Sequence, residues 1–280
     1  MNTIIKKILV LIDFKAESFN ALQHAAELAS RDRSIIYLLH VIKKPSLLER
    51  LFYFSKLNRE NEQKKALLAT WKKNTEQQYQ VPVIDIILEG NICFQIYQYT
   101  VSTHIDFIFM GLNRQRGIPG KFSGGKSRKV SRQSSVPVAT IFHNSGVPFK
   151  WKNVVIPVSR VKPEMRIRML LHFAMLYKIK IHFIAVHEST MTHTTEQFDL
   201  LVECIKLVKM FGNIAVDCKN LEDDDLTNAA WKYAKKIDAD ALITNSGNEI
   251  YHTERSVAAA EQNLSEQIMQ QLMYNAGVLK

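Results

Sequence analysis

The chain has little of what holds disulfide-rich or metal-bound proteins together. Its 280 residues include only three cysteines, and Cys93, Cys204 and Cys218 lie far apart without the spacing of a zinc site. This pattern favours reduced thiols and a cytoplasmic location. No run of about eighteen apolar residues occurs, so the sequence predicts no membrane-spanning helix and no membrane partner. The short apolar stretch at the start is interrupted by Asp13 and is interpreted as a first strand rather than a signal peptide.

Catalytic signatures are equally scarce. A G-x-S-x-G elbow is absent, which removes the anchor of an α/β-hydrolase triad. The fragment SGGKS resembles the end of a Walker motif, but it lacks the first glycine at the required distance. The nine histidines are scattered without metal-ligand spacing, and the acidic run at 222–225 suits a helix N-terminus. No catalytic residue and no metal ligand are therefore predicted.

The charge of the chain is divided unevenly. The formal net charge is +10, but residues 1–150 carry 22 basic against 11 acidic side chains, whereas residues 151–280 carry 15 against 16. An anionic partner is therefore expected to meet the first half. The basic run KSRKVSR has no interleaved aromatic side chains on which bases could stack. A solvated helix face is favoured over a nucleic-acid interface.

Apolar runs alternate with amphipathic segments throughout the chain. KILVL, IIYLLHV and IDFIFMG are typical of buried strands, and the segments between them have helical periodicity. The alternation predicts an α/β fold with parallel sheets covered by helices on both faces. The plan repeats after about 145 residues, where KNVVIPVSRVKPE corresponds to KKILVLIDFKAES. We expect two homologous domains at 1–145 and 150–280, the first with an insertion of one or two helices and the second with a short final strand.

In its order of elements the sequence resembles the universal stress protein family, in a tandem form. The segments that carry the resemblance are KKILVLIDFKAES, the block from IILEG to IFMG, and GGKSRKVSRQSSVPVATI. The resemblance implies two open five-stranded parallel sheets of the adenine nucleotide α-hydrolase-like type, with strand order 3-2-1-4-5 and helices on both faces. It also implies that the two domains pair as a pseudo-dimer within one chain, and it is compatible with a homodimer.

In ATP-binding members of that family, a G-x-x-G motif, nine further residues and G-[ST] wrap the phosphates and the ribose. Here Gly111 and Gly124 keep the first and third glycines, whereas Arg114 replaces the second glycine and Gly125 replaces the hydroxyl residue. Arginine is a strong phosphate ligand, so the loop indicates either a modified phosphate site or a solvated basic turn that has lost its ligand. The positions that the resemblance assigns to ATP, ADP or another phosphate ligand are Asp13, Val41, Gly111, Asn113, Arg114, Gly124, Gly125 and Lys126.

The second domain departs further from the family pattern. Ser159 stands at the position of Asp13, and the segment TNSGNE lacks the glycine spacing. We therefore expect a nucleotide only in the first domain. The resemblance implies a non-catalytic regulator of a stress response, with a protein partner that the sequence does not identify. Slow ATP hydrolysis in the first domain and a ligand-free adaptor role are the alternatives that remain open at this point.

Overall fold

The computed structural model describes two compact units, each built on its own parallel sheet. The first unit contains the described stretches up to residue 142, and the second contains those from residue 151 onwards. The described residues are 5–45, 47–112, 129–130, 133–142, 151–158, 163–187, 195–223 and 226–243.

The first unit alternates strands and helices, as its sequence pattern predicts. Its elements are β1 Lys7–Leu11, α1 Ala16–Asp32, β2 Ile35–Ile42, α2 Leu47–Tyr79, β3 Val83–Glu89, α3 Ile92–Thr103, β4 Phe107–Leu112 and β5 Val138–Phe142. The five strands form one sheet in the order β3-β2-β1-β4-β5, and every neighbouring pair is parallel. The predicted α/β class and strand order are confirmed.

Both faces of the first sheet are buried, which explains why its strands are continuous apolar runs. Leu9 and Leu39 belong to a core cluster that includes Ile96 of α3. Successive strand residues alternate between faces, so Ile8 and Val10 lie on the opposite face. Neither of them is exposed to solvent. The sheet is therefore the centre of a three-layer arrangement, with helices on both sides.

The long insertion of the first half forms a single helix. α2 has 33 residues, and at about 1.5 Å of rise per residue it is about 50 Å long. A strand of eight residues, such as β2, spans only about 26 Å, so α2 is longer than the sheet is deep. The second half of α2 lies on the sheet, because Leu68 is buried and Lys72 forms an ion pair of 3.2 Å with Asp85 of β3.

The second unit repeats the plan of the first. Its elements are β6 Asn153–Pro157, α4 Glu164–Leu176, β7 Lys180–His187, α5 Thr195–Lys209, β8 Ala215–Glu222, α6 Leu226–Lys236 and β9 Ala241–Leu242. The four described strands form a parallel sheet in the order β8-β7-β6-β9. This order corresponds to strands 3-2-1-4 of the first sheet. The fifth strand expected in AGVLK lies outside the described residues.

The two sheets share a detail at their amino-terminal edges. Asp106 Oδ2 accepts hydrogen bonds of 2.8 and 2.9 Å from two backbone N–H groups at the start of β1. Asp240 Oδ2 accepts two bonds of 2.8 Å from the equivalent groups at the start of β6. Each aspartate directly precedes the fourth strand of its sheet. The same side chain making the same bonds at the same topological position supports an internal duplication.

Candidate functional site

The strand register brings three of the predicted ligand positions to one edge of the first sheet. Leu11 pairs with Leu39 of β2 and with Met110 of β4. Asp13, Val41 and Gly111 follow these three residues by one or two positions, so they lie together at the carboxyl ends of β1, β2 and β4. From β1 the chain continues to β2 on one side, and from β4 it continues to β5 on the other side. This is the topological switch point at which open α/β sheets bind their ligands.

Asp13 lies in the loop between β1 and α1, and its carboxylate is accessible. Its side chain is 59% exposed, and Lys15 Nζ lies 3.9 Å from Oδ2. The Oδ1 atom accepts a hydrogen bond of 3.1 Å from the backbone N–H of Lys15, and the N–H of Asp13 donates to Ser18 Oγ at 3.4 Å. These bonds fix the loop, and the carboxylate stays exposed to solvent with Lys15 as its ion-pair partner.

Gly111 has a packing reason to be glycine. A Cβ atom at this position would lie 2.3 Å from the carbonyl carbon of Glu17 and 2.5 Å from the backbone nitrogen of Ser18. Real Cβ atoms do not approach backbone atoms so closely, so β4 can meet the first turn of α1 only with glycine here. The helix itself begins at Ala16, and its N-cap residue Lys15 makes no side-chain capping bond. Gly111 therefore sets a strand end directly against an uncapped helix N-terminus.

Val41 contributes to this edge through its backbone. It pairs with Leu88 of β3, and its side chain is partly buried against the core cluster on the α3 face. The other five predicted positions follow β4 in the sequence and lie outside the described residues. They are Asn113, Arg114, Gly124, Gly125 and Lys126.

Comparison with known proteins identifies the first half. Residues 5–141 match the model of the universal stress protein family. The first domain therefore belongs to the universal stress protein family. The resemblance inferred from the sequence is thereby confirmed. No curated protein sequence matches the chain significantly.

Solved structures extend the likeness to the second half. A universal stress protein from Archaeoglobus fulgidus DSM 4304 has 18% sequence identity and a TM-score of 0.66, and the match covers 93% of this chain and 94% of that chain. A functionally unknown protein from Pseudomonas aeruginosa PAO1 has 16% identity and a TM-score of 0.53, with 100% of both chains covered. At these identities the comparisons show the fold alone, and that fold spans both domains.

An aromatic cluster beside Asp13 was missed in the sequence. Phe14 packs its ring against His40 of β2, with 4.7 Å between centroids. Trp71 of α2 lies edge-on to Phe14 at 5.7 Å and to Phe19 of α1 at 5.3 Å. The only sequence signals were an aromatic residue directly after Asp13 and a tryptophan within the insertion. The cluster fastens the loop of this universal stress protein domain to its long helix.

His40 is the buried polar member of this aromatic cluster. The residue is 9% exposed, and Nδ1 lies 2.7 Å from the carbonyl oxygen of Ile12. The Nε2 atom is buried and has no hydrogen-bond partner among the described residues. Burial lowers the pKa of His40, the bond to Ile12 opposes this shift, Lys64 adds to it and Asp13 opposes it. The neutral imidazole is therefore the form that fits this environment.

The carboxyl edge of the second sheet is built differently. Arg166, in the first turn of α4, donates from Nη1 to the carbonyl oxygens of Pro157 at 3.1 Å and Ile243 at 3.3 Å. Pro157 ends β6 and Ile243 follows β9, so the guanidinium bridges the counterparts of β1 and β4. Ser159 and the segment 244–250 lie outside the described residues.

Other candidate sites carry less chemistry. Among the described residues, no group of three metal-ligating side chains occurs, and no described helix is long and apolar enough to cross a membrane. Burial, followed by the neighbouring Asp217, raises the pKa of Cys218 to about 11, which disfavours the thiolate. A shallow cleft opens on the α3 face of the first sheet. It is lined by Cys93, Ile96, Tyr97, Thr100, Ile108, Val130, Gln133 and Ser134.

Proposed function

We propose that the first domain binds an adenine nucleotide or another phosphate-bearing ligand at the carboxyl edge of β1, β2 and β4, and that the protein acts as a non-catalytic sensor in a stress response. The observation that carries this proposal is the convergence of Asp13, Val41 and Gly111 at the switch point. Ligands of open α/β sheets bind in this crevice, where two connections leave in opposite directions.

The phosphate end of the ligand would lie towards α1 and the loop after β4. An uncapped helix N-terminus offers backbone donors and the positive end of the helix dipole, and α1 begins in this way. Gly111 packs β4 directly against that first turn. We propose that Arg114 and Lys126 of this loop, together with its glycines, contact the phosphates, as a basic glycine-rich loop can do.

The nucleoside end would lie towards Asp13 and Val41. The exposed carboxylate of Asp13 can accept hydrogen bonds from ribose hydroxyl groups. The Val41 side chain packs towards the core, which leaves its main chain as the part that meets a base. We propose that only the first domain binds the ligand, because the second has Ser159 at the position of Asp13 and its edge is bridged by Arg166.

The described groups at this edge favour ligand sensing over catalytic turnover. Hydrolysis needs a base or a metal beside the γ-phosphate. His40 already bonds to a backbone carbonyl through Nδ1 and is buried against Phe14, so it is not placed to activate water. We propose a cytoplasmic protein in which the second domain pairs with the first and supports contacts with a protein partner or a second copy of the chain.

Calorimetric titration of the full chain with ATP, ADP and pyrophosphate tests this function. Asp13→Ala should weaken nucleotide binding about ten-fold or more, because a hydrogen bond to a charged group contributes about 1.5–3 kcal/mol. Asp199→Ala, at an exposed position of α5, is the matched control and should bind like the original chain. Pyrophosphate binding that is insensitive to Asp13→Ala would confirm that this carboxylate acts on the nucleoside.

Arg114→Gly, which restores the family motif, separates the remaining alternatives. A weaker affinity would show that Arg114 is a phosphate ligand, and a tighter one would show that it obstructs the site. If neither the original chain nor Arg114→Gly binds a nucleotide, the sensor proposal fails and the ligand-free adaptor becomes the better function. Steady release of phosphate from ATP, lost in Asp13→Ala, would instead establish slow hydrolysis.

A further inference from the structure

The loop that carries Asp13 is held in a conformation that its sequence does not favour. Phe14 has a φ angle of 61°, in the left-handed region that residues with a Cβ rarely occupy outside glycine-like turns. Its ring is fixed by His40 at 4.7 Å and Trp71 at 5.7 Å. The packing of these rings must therefore offset the backbone strain, and a change that loosens the cluster favours a different loop conformation.

The hydrogen bonding of His40 fixes its tautomer. Nδ1 lies 2.7 Å from the carbonyl oxygen of Ile12, and a carbonyl oxygen can only accept a hydrogen bond. Nδ1 therefore carries the proton of the neutral ring, and Nε2 carries the lone pair. Nε2 is buried without a described partner. A second proton can bind only at Nε2, where no described acceptor receives it.

The charges around His40 do not stabilise an imidazolium. Lys64 of α2 opposes the protonated form, whereas Asp13 favours it. The Asp13 carboxylate is largely solvent-exposed and is shared with Lys15 at 3.9 Å. On the strand side, Asp85 lies on the same face of the sheet as His40, but it pairs with Lys72 of α2 at 3.2 Å. Asp13 is thus a weak partner for a charge on the ring, and its effect is smaller than those of burial and of Lys64.

We propose that His40 is an acid-sensitive latch for the β1–α1 loop: a proton taken from solvent at Nε2 places an unpaired charge inside the aromatic cluster, and the cluster opens, releases Phe14 and moves Asp13. The latch is closed while the ring is neutral. Because Asp13 is the residue that we assign to the nucleoside, its movement would weaken ligand binding in acid. That last consequence rests on the proposed function, whereas the opening of the loop does not.

The direction of the effect follows from proton linkage. An accessible histidine titrates near pH 6.5, and burial lowers the pKa of His40 below that value. The open form therefore takes up the proton at a higher pH than the closed form does. The closed form is fully stable above about pH 6.5 and loses stability as the pH falls through and below that point. The latch is expected to respond to mild acidification and not to alkali.

Fluorine NMR on the full chain tests the latch with a change of one ring atom in each tryptophan. The protein has three tryptophans, and 5-fluorotryptophan labelling gives each its own resonance, with Trp71 assigned by Trp71→Phe. The expected result is a shift or a second Trp71 signal between pH 7.5 and 5, while the two tryptophans of the second domain stay unchanged. Histidine-selective ¹⁵N spectra over the same range should show His40 protonated at Nδ1 when neutral.

Two variants make the test decisive. His40→Asn keeps an N–H donor for Ile12 but cannot titrate in this range, so the Trp71 transition should disappear. His104→Asn is the matched control, because His104 is exposed and its φ of 54° suits asparagine; the transition should persist there. A transition that survives His40→Asn, or no Trp71 change while ¹⁵N spectra show His40 becoming protonated, would overturn the latch. If His40→Asn does not fold, the original chain still tests the latch. The ¹⁵N titration of His40 and the ¹⁹F titration of Trp71 should then have the same midpoint, and different midpoints would overturn the latch.

Failure of the latch proposal and failure of the proposed function give different experimental results. An acid-induced Trp71 change without any nucleotide binding at pH 7.5 supports the latch and contradicts the function. Nucleotide binding that is equal at pH 7.5 and 5.5, with a Trp71 change, would show that the loop moves without controlling the ligand.

Discussion

In the first domain, β1 leads into Asp13 and Phe14, and the Phe14 ring rests on His40 and Trp71. In the second domain, the counterpart of β1 ends at Pro157, whose carbonyl oxygen accepts a hydrogen bond from Arg166. The same carboxyl edge thus carries an accessible carboxylate on a strained loop in one copy and an arginine clamp across two strands in the other.

The amino-terminal edges of the two sheets differ much less. The backbone N–H of Ile105 donates to Thr100 at 3.0 Å, and that of Ala239 donates to Ala234 at 2.8 Å, so both crossover helices end in the same turn. Tyr99 and Tyr233 occupy equivalent places one residue before these acceptors. Each tyrosine packs against the second strand of its sheet, at 6.2 Å from Tyr37 and 5.9 Å from His182.

This contrast teaches where the duplicated fold is constrained. Hydrogen bonds that position the strands are kept in both copies, because their loss would leave buried backbone groups without partners. Side chains at the carboxyl edge can change with little effect on the sheet, and binding residues concentrate on such loops. The two domains have thus kept one framework and diverged where a ligand would bind.

The largest effect is expected at Gly111, where β4 contacts α1 in the first domain. The second domain has no described counterpart of this contact. Gly111→Ala would place a Cβ 2.3 Å from the carbonyl carbon of Glu17, so β4 or α1 must move. We expect a loss of roughly 3 kcal/mol or more in the stability of the first domain, at or above the upper end for overpacking. Hydrogen exchange measured by mass spectrometry should show faster exchange in α1 and β4, with the second domain unchanged.

Gly212→Ala is the comparison for that variant. No atom lies within 4 Å of a Cβ at Gly212, and its φ is 132°, so the cost there comes only from backbone strain, about 1–3 kcal/mol. It should affect the second domain alone. Unchanged exchange in α1 and β4 of Gly111→Ala would mean that the close approach of β4 to the helix is not required.

An intermediate effect is expected from the aspartates that the domains share. Asp106→Ala and Asp240→Ala each leave two backbone N–H groups without their acceptor. We expect each to destabilise its own domain by about 1–3 kcal/mol, seen as faster hydrogen exchange in that domain only. Clearly unequal losses, or a loss in the wrong domain, would contradict the equivalence of the two edges.

Asp106→Asn shows whether the charge or the acceptor oxygen matters. Burial raises the pKa of Asp106, and the bonds from Lys7 and Lys6 only partly oppose this. The ionised form is therefore not favoured by the fold, and an amide oxygen should replace the carboxylate at little cost. A loss in Asp106→Asn as large as that in Asp106→Ala would show that the negative charge is needed.

The sequence predicted the framework better than the site. Apolar runs predicted the parallel sheets, because burial on both faces imposes that pattern on each strand. The strand order was predicted from the resemblance to the family. Asp13, Val41 and Gly111 were predicted from a family motif, and the register brings them together. Their use by a ligand, and that of the five loop residues after β4, stays a prediction.

The aromatic cluster could not be predicted for a physical reason. It joins Phe14, His40 and Trp71 from three elements, and only the packing of α2 on the sheet brings the last of them near the loop. His40 also stands in a run that is typical of ordinary core, and nothing local shows that its Nε2 has no partner among the described residues. Arg166 was missed likewise, because its two acceptors are backbone atoms 77 and 9 residues away.

The smallest effect is expected at the amino-terminal edges, which match in the two domains except for one titratable side chain, His182. His182 is 4% exposed, its Nδ1 lies 3.2 Å from Tyr233 Oη and its Nε2 lies 3.3 Å from Asn153 Oδ1. Burial lowers the pKa of His182, and Lys180 adds to the shift while Asp217 opposes it. The unfolded chain therefore takes up this proton first, and the second domain should lose stability as the pH falls below about 6.5.

His182→Tyr copies Tyr37 of the first domain and removes this titration. The measurement is hydrogen exchange of β6 and β7 at pH 7.5 and 5.5, corrected for the intrinsic exchange rate. In the original chain the second domain should be less protected at the lower pH, and in His182→Tyr that difference should shrink. The readout compares two pH values in one variant, so a constant packing cost of the larger ring does not enter it. His104→Asn, which alters an exposed histidine of the first domain, should keep the full difference. If His182→Tyr keeps it as well, another group of the second domain titrates, and His182 does not set the response of this domain to acid.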